Sequence, residues 1–528
     1  MTEKEYQIVL FTDFPNTVLT AKPLGAYKIA SSLREAGYSC LVVDNLSVWS
    51  ADDMITLLNR VISNKTLFVG YSTTFLKSED KIKLENVPQP LLYHDYNPNT
   101  AFYPQGTDYE DRMVAVIKKL NSNCKILLGG YRIHETCINR NIDIIVRGLA
   151  EISIVNVANS LYNNLPIEDS YKNLYGITVV SRDQEKEYDF ANSPMHWEDT
   201  DILNYRILPF EPARGCIFNC KFCSYPQRGK KTLDYVLNEE IIYNELKNNY
   251  DRYGITTYQL MDDTFNDSDQ KLDRILNVVK QLNFQPVFWA YNRLDLLATR
   301  PHRVQVMFDI GLRAVSFGIE TLKRETGLFV GKGFDAQKQI ETVRDIRRKY
   351  GNNFLMHGLF MIGLPEESLE EVQHTANLIQ SQELPLHSAY FETLVIKKLN
   401  VNFSQSDFDK NWHNYGYEDM GSEDSIMINW QNKHMTFYEA ATKQQELTKI
   451  MQGNNTFHIP GQTAWSLMNY PNFNLERIQS TKNAEVPWSE VTAAKKQFFV
   501  DYKIQLFNKL NLVPQVGLEP TRHKDMSF

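Results

Sequence analysis

Residues 211–231 read EPARGCIFNCKFCSYPQRGKK, with cysteines at positions 216, 220 and 223. They follow the apolar run RILPF at 206–210, which places the three thiols on a loop just past a strand. Three thiolates at the spacing C-x3-C-x2-C can wrap one soft metal centre, because loop backbone can turn every sulfur to the same side. A structural zinc site needs four ligands, usually as two separated pairs. The closest histidines are His196, 20 residues before Cys216, and His302, 79 residues after Cys223. A trio with a vacancy therefore fits a four-iron cluster that keeps one iron open, with zinc or coincidence as the alternatives.

Downstream of this loop a strand-helix rhythm runs for about 170 residues. Helices are expected near 236–250, 268–282, 301–310 and 335–350. Between them lie the strands TTYQLMDDTF (256–265), VFWAYNRL (287–294), RAVSFGIET (313–321) and FLMHGLFMIGLP (354–365). Apolar strands separated by helical crossovers predict a succession of parallel strands, and polar residues at the carboxyl ends of such strands are the first candidates for chemistry. The polar residues at those ends are Asp262 and Asp263, Arg293 and Glu320. Each has a plain structural use: an aspartate can cap the next helix, and Arg293 and Glu320 can pair with each other. Met261, Met356 and Met361 read as barrel packing.

The cysteine spacing after a strand, with the aromatic Phe222 just before the last cysteine, resembles the radical S-adenosylmethionine (SAM) superfamily. The resemblance implies a partial six-unit (β/α) barrel and a 4Fe-4S cluster on Cys216, Cys220 and Cys223. It further implies that SAM chelates the open iron, and that one electron cleaves it to methionine and a 5′-deoxyadenosyl radical. SAM contacts would then come from Phe222, Asp262, Asp263, Arg293, Glu320 and Gly363. Asp262-Asp263 stands where many members carry Gly-Gly-Glu. SFGIET resembles the family's Gly-Ile-Glu-Ser segment, and MIGLPEES a turn near the adenine. In such an enzyme the cofactor supplies the hard chemistry and the protein supplies position. An external electron donor such as flavodoxin or ferredoxin, and a small-molecule substrate, are implied as partners.

Ahead of the barrel, residues 1–165 alternate strands (YQIVLFTDF, SCLVVDN, TLFVGYS, KILLGGY, IDIIVRG) with helices near 23–37, 51–63, 108–121 and 150–163. This predicts a parallel, doubly wound α/β sheet with ligands beyond the carboxyl ends of its strands. The turns there carry Asp13-Phe14-Pro15, Ser72-Thr73-Thr74, Gly129-Gly130 and Gly148. The strand-Gly-Gly, then Arg147-Gly148 with Glu151 following, resembles the cobalamin-binding Rossmann domain fused to some radical enzymes. That implies cobalamin contacts from Ser72, Thr73, Gly129, Gly130 and Gly148. The family's Asp-x-His-x-x-Gly motif is absent, since Phe14 and Pro15 follow Asp13, so the fold without the cofactor stays an alternative. Residues 76–107 form a long loop in which Tyr93, His94 and Tyr96 could cover a flat ligand.

The expected layout is thus a Rossmann-like domain over 1–165, a linker over 166–200, the radical barrel over 201–395, and a mostly helical substrate-closing region over 396–515. A tail without pattern follows over 516–528. Helices are expected near 437–451 and 488–509. Trp430, His434 and Met435 resemble a Trp-x-x-x-His turn that closes the mouth in cobalamin-linked radical enzymes. His413, His434 and His458 are candidate substrate contacts or proton carriers.

Composition narrows the function. In 528 residues, 56 Lys plus Arg against 64 Asp plus Glu give a net charge of −8, which argues against nucleic acid as a bulk partner. Apolar residues at 43% and charged residues at 23% are those of a folded chain. The acidic balance and the lack of a second cysteine trio count against tRNA thiolation. No run of about 18 apolar residues offers a membrane span, and MTEKEYQIVLF lacks a signal-peptide pattern. Six cysteines, three of them clustered, point to a reducing cytoplasm and not to a disulfide framework. Cys40, Cys124 and Cys137 read as packed thiols. The reaction expected is radical SAM chemistry, with cobalamin-dependent methyl transfer to a small molecule. Its rivals are a cobalamin-free radical cyclisation or rearrangement, and a non-enzymatic iron–sulfur or zinc module.

Overall fold

The computed structural model describes residues 5–12, 22–72, 109–130, 140–180, 187–397, 405–421, 427–452, 456–458, 465–480 and 485–512. Asp13–Pro15, Thr73, Thr74, Tyr93, His94, Tyr96, Cys137, the His458 side chain and the tail lie outside the described residues.

The first sheet is built from β1 (Ile8–Phe11), β2 (Cys40–Val43), β3 (Phe68–Ser72), β4 (Lys125–Gly130), β5 (Ile144–Arg147), β6 (Ser170–Lys172) and β7 (Thr178–Val180). Its order is β2-β1-β3-β4-β5-β7-β6, parallel throughout except for the β6–β7 pair. The short runs IVLF and CLVV are apolar at every position because both faces are covered. Alternate residues serve opposite faces: Ile8 and Leu10 join one core, Val9 and Phe11 the other. Helices α1 (Leu24–Glu35), α2 (Ala51–Val61), α3 (Tyr109–Leu120) and α4 (Glu151–Tyr162) supply the covers. β6 and β7 lie inside the expected 166–200 linker, which is corrected here. Val179 and Val180 pair with Ile145 and Val146, so the first domain extends its sheet to residue 180.

A one-turn helix α5 (Asp199–Ile202) leads into the second sheet. Its strands are β8 (Ile207–Phe210), β9 (Thr257–Leu260), β10 (Val287–Arg293), β11 (Leu312–Glu320), β12 (Leu355–Ile362) and β13 (Ser388–Thr393). They run in sequence order and all in parallel, the open six-unit barrel that was expected. The crossovers are α6 (Glu239–Tyr253), α7 (Asp269–Val279), α8 (Leu294–Thr299), α9 (Arg303–Ile310), α10 (Arg324–Val330), α11 (Ala336–Tyr350) and α12 (Leu369–Gln380).

The carboxyl-terminal third divides between the two ends of this barrel. Trp430, Asn432 and Tyr417 pack at Gly363, just past β12 at the mouth. Residues 465–480 and 485–512 instead cover the amino ends of the strands. Trp465 Nε1 donates to Tyr258 O, the Asn469 side chain accepts from the Arg206 and Ile207 amides, and Trp465 and Phe498 share a core with Trp289 and Leu355. The helix Trp488–Lys509 also reaches the first sheet, where the Asp44 amide donates to the Tyr502 hydroxyl. A substrate-closing role over all of 396–515 is therefore corrected: aromatic burial carries the last segment to the end away from the cysteines.

Candidate functional site

The cysteine loop leaves β8 and folds back on itself, with the Cys216 amide bonded to Gln227 O, the Lys230 amide to Cys216 O, and the Cys223 amide to Cys220 O. All three thiols are free. Cys216 Sγ lies 3.4 Å from Thr264 Oγ1, in the loop after β9. Cys220 Sγ accepts from Arg293 Nη1 at 3.3 Å, and Cys223 Sγ from the Tyr225 amide at 3.4 Å. Hydrogen bonds and positive charge aimed at sulfur suit thiolates that carry a metal centre, because they stabilise the negative charge there. Burial pushes the Cys216 thiol up to about 11, so in the metal-free chain it keeps its proton at neutral pH. Among the described residues no group of three or more His, Cys, Asp or Glu gathers as a single-ion site does.

The strand-end residues divide by their partners. Asp262 is fully engaged: its carboxylate pairs with buried Lys271 at 2.9 Å and accepts from the Thr264 amide. Lys271 also pairs with Asp267 at 2.7 Å, and Asp267 in turn accepts from the Ile217 amide and the Tyr235 hydroxyl. This buried triad ties the loop after β9 to the cysteine loop. Arg293 pairs with Asp295 at 2.6 Å and donates to Gly331 O, besides Cys220, with its guanidinium 3.9 Å from the Phe218 ring. Glu320 pairs with Lys332 at 2.6 Å, and that amine also lies 5.7 Å from the Phe222 ring. Arg293 and Glu320 therefore do not pair with each other. Glu320 holds a positive φ of 66° at a register shift in β11, a strained backbone of the kind found at working sites.

Asp263 differs from its neighbour. Its side chain is exposed at the strand end and accepts from the Tyr225 hydroxyl. Protein packed around its other sides, and the Asp262 charge beside it, push its pKa up to about 7. Gly363 has φ 98°, and its carbonyl accepts from Tyr417 and Asn432. A Cβ there would stand 2.4 Å from the Trp430 ring, so packing alone demands the glycine. His434 Nε2 lies 3.6 Å from Glu366.

A cavity of about 660 Å³ opens between the two domains. One wall is the carboxyl end of the first sheet: Phe11, Tyr71, Ser72, Gly129, Gly130 and Gly148. The opposite wall is the cysteine loop, from Cys223 to Pro226. The order β2-β1-β3-β4-β5 reverses direction at β1/β3, the switch point where a doubly wound sheet receives its ligand. Gly130 at the end of β4 and Gly148 just past β5 take positive φ of 132° and 76°, presenting bare backbone to the cavity. Arg214 closes the floor between the domains, paired with Glu151 on α4 at 2.5 Å and with Glu211 at 2.8 Å.

Of the residues the sequence singled out, Ser72, Gly129, Gly130, Gly148 and Cys223 line one cavity, and Thr73 lies outside the described residues. Sequence reasoning missed Thr264, Asp295, Lys332 and the Asp262–Lys271–Asp267 triad, because charged partners brought in from helices and loops leave no spacing signal.

Residues 210–379 match the Radical SAM superfamily. Over 363 residues the chain is 24% identical to an uncharacterized methyltransferase of Pyrococcus horikoshii, a match covering 62% of this chain and 76% of that protein. It is 25% identical over 205 residues to bacteriochlorophyllide d C-8(2)-methyltransferase of Chlorobaculum tepidum, 37% of this chain and 44% of that one. Among solved structures, the radical SAM methyltransferase TsrM of Kitasatospora setae, with cobalamin and a 4Fe-4S cluster bound, covers 93% of this chain and 100% of its own. Its TM-score is 0.58 and its identity 14%. The cobalamin-dependent SAM radical enzyme OxsB, with aqua-cobalamin and SAM bound, covers 96% and 80% with TM-score 0.58 and 12% identity. Strand order, cysteine loop and these likenesses agree: the chain is an enzyme that carries a radical SAM domain over residues 210–379, behind an amino-terminal domain of the cobalamin-binding-like fold.

Proposed function

We propose that this enzyme is a cobalamin-dependent radical SAM methyltransferase acting on a small molecule. The observation that carries the reading is the single cavity walled by the glycine turns of the first sheet on one side and by Cys223–Pro226 on the other. The donor set fits both groups: three free thiols on one loop for a 4Fe-4S cluster, and a wide space with one glycine-lined wall at the carboxyl end of the first sheet for a flat macrocycle. When bound, the cluster and SAM supply the 5′-deoxyadenosyl radical, and cobalamin supplies a methyl carrier.

The chain's own residues then take distinct parts. Cys216, Cys220 and Cys223 hold the iron. Arg293 orients Cys220 and offsets its charge, while Asp262, through Lys271 and Asp267, holds the loop in place. Asp263, the strand-end carboxylate left open, is assigned to the SAM amino group, with Phe222 beside it on the loop. Glu320 and Gly363 shape the mouth through Lys332 and Trp430. Ser72, Thr73, Gly129, Gly130 and Gly148 are assigned to cobalamin, and flavodoxin or ferredoxin to electron supply.

Two measurements test this. Anaerobically reconstituted protein given SAM and dithionite should release 5′-deoxyadenosine, and Cys220→Ala should release none. Incubation with hydroxocobalamin followed by desalting should leave a corrin absorbance. A protein that cleaves SAM but retains no corrin turns the reading to the cobalamin-free radical reaction.

A further inference from the structure

One residue of the cysteine loop touches both halves of the site. Tyr225 lines the interdomain cavity, together with its neighbours from Cys223 to Pro226. Its hydroxyl donates to Asp263, the open carboxylate just past β9. Its amide donates to Cys223 Sγ at 3.4 Å, and its carbonyl accepts from Arg228 Nη1 at 2.8 Å. Arg228 is itself anchored on the Asn219 side chain and on Gln405 O. Pro226 follows, and a proline restricts the residue before it to extended backbone. Bonds on both sides of the residue thus fix the backbone from which the phenol projects.

The two neighbouring carboxylates differ in what holds them. Asp262 is turned inward and locked by the Lys271 ammonium at 2.9 Å. Asp263 has no such lock: among the described residues no ammonium or guanidinium pairs with it, and the Tyr225 hydroxyl is the donor that orients it. Tyr225 also feels the charges of Glu211 and Arg214, which line the same cavity. A ligand entering the cavity therefore meets the residue that holds Asp263, and whatever narrows the freedom of that phenol narrows the freedom of the carboxylate. Ordering a group before its ligand arrives removes that cost from the binding step. Such an effect is a coupling free energy between two sites, and it is reciprocal.

We propose that Tyr225 is the positioning residue that couples the two cofactor sites: corrin in the interdomain cavity holds the phenol on Asp263, and Asp263 so held takes the SAM ammonium more tightly. The inference rests on the cobalamin-dependent reading above and on its assignment of Asp263 to SAM. No covalent bond is made or broken in this coupling.

The test reads SAM affinity by equilibrium dialysis on the full chain, with its cluster reconstituted and left oxidised so that SAM is not consumed, with and without hydroxocobalamin. The unaltered chain should bind SAM at least about fivefold more tightly when loaded with corrin, and SAM should tighten hydroxocobalamin binding by the same factor. Tyr225→Phe keeps the ring and removes the hydroxyl. It should retain iron and corrin as the unaltered chain does, bind SAM more weakly, and show one SAM affinity with corrin and without. A corrin effect that persists in Tyr225→Phe, or that is absent from the unaltered chain, overturns the proposal. Loss of iron from Tyr225→Phe also overturns it, since the residue would then only be holding the loop. Failure of the unaltered chain to retain corrin, or to release 5′-deoxyadenosine with dithionite, overturns instead the reading on which the proposal rests. Undiminished SAM affinity in Asp263→Asn overturns the assignment of that carboxylate.

Discussion

Asp262 and Asp263 are adjacent in sequence and opposite in use, since one carboxylate is paired with a buried ammonium and the other is open at a strand end. With its pKa near 7, Asp263 changes charge in the working range, and its ionised form is the one that accepts a bond from an ammonium. SAM cleavage should therefore rise as pH climbs through about 7, and Asp263→Asn should flatten that limb of the pH profile while lowering SAM affinity. Gly363 makes the reverse point. It was expected to touch SAM, and packing against Trp430 together with its φ already requires a glycine there. Gly363→Ala should cost about 2–4 kcal/mol by chemical denaturation, from overpacking against Trp430 together with a left-handed backbone.

At the scale of elements, the loop between β9 and α7 stiffens the cysteine loop through one buried lysine. Lys271→Met removes the only cation shown paired with Asp262 and Asp267 among the described residues, leaving two buried carboxylates. Breaking a buried pair from one side costs about 3–5 kcal/mol, so a lower melting temperature and poorer cluster retention are expected together. The parallel strands and most helices were legible because burial on both faces writes continuous apolar runs. The helix expected at 488–509 lies at Trp488–Lys509. β6 and β7 were not legible: SYK and TVV are three residues each, too short for a periodic signal, and they exist because the edge of β5 offers free backbone groups to pair with.

At the scale of the molecule, the two domains meet across buried charge. Lys28 on α1 and Glu245 on α6 are both buried and face each other electrostatically, and burial pushes the Glu245 carboxyl up to about 8 from its usual 4.5. A carboxyl that stays protonated when folded but ionises when unfolded makes folding less favourable as pH rises from about 4.5 to about 8. Glu245→Gln should then be the more stable protein at pH 8, by on the order of 1–3 kcal/mol, with the difference vanishing near pH 4.5 in thermal melts.

By itself the sequence determined the class of both domains, the cysteine trio and the glycine turns, because each of these is a local pattern: apolar periodicity, close spacing of like ligands, and residues without side chains after strands. Only the tertiary structure decided that Asp263 and not Asp262 is open, that Arg293 serves a sulfur, that the last helix seals the far end of the barrel, and that the two halves share one cavity. Those outcomes depend on which distant charges and aromatic faces come into contact, and pairings between residues such as Glu151 and Arg214, or Glu320 and Lys332, are made by folding in three dimensions, where spacing along the chain carries no record of them.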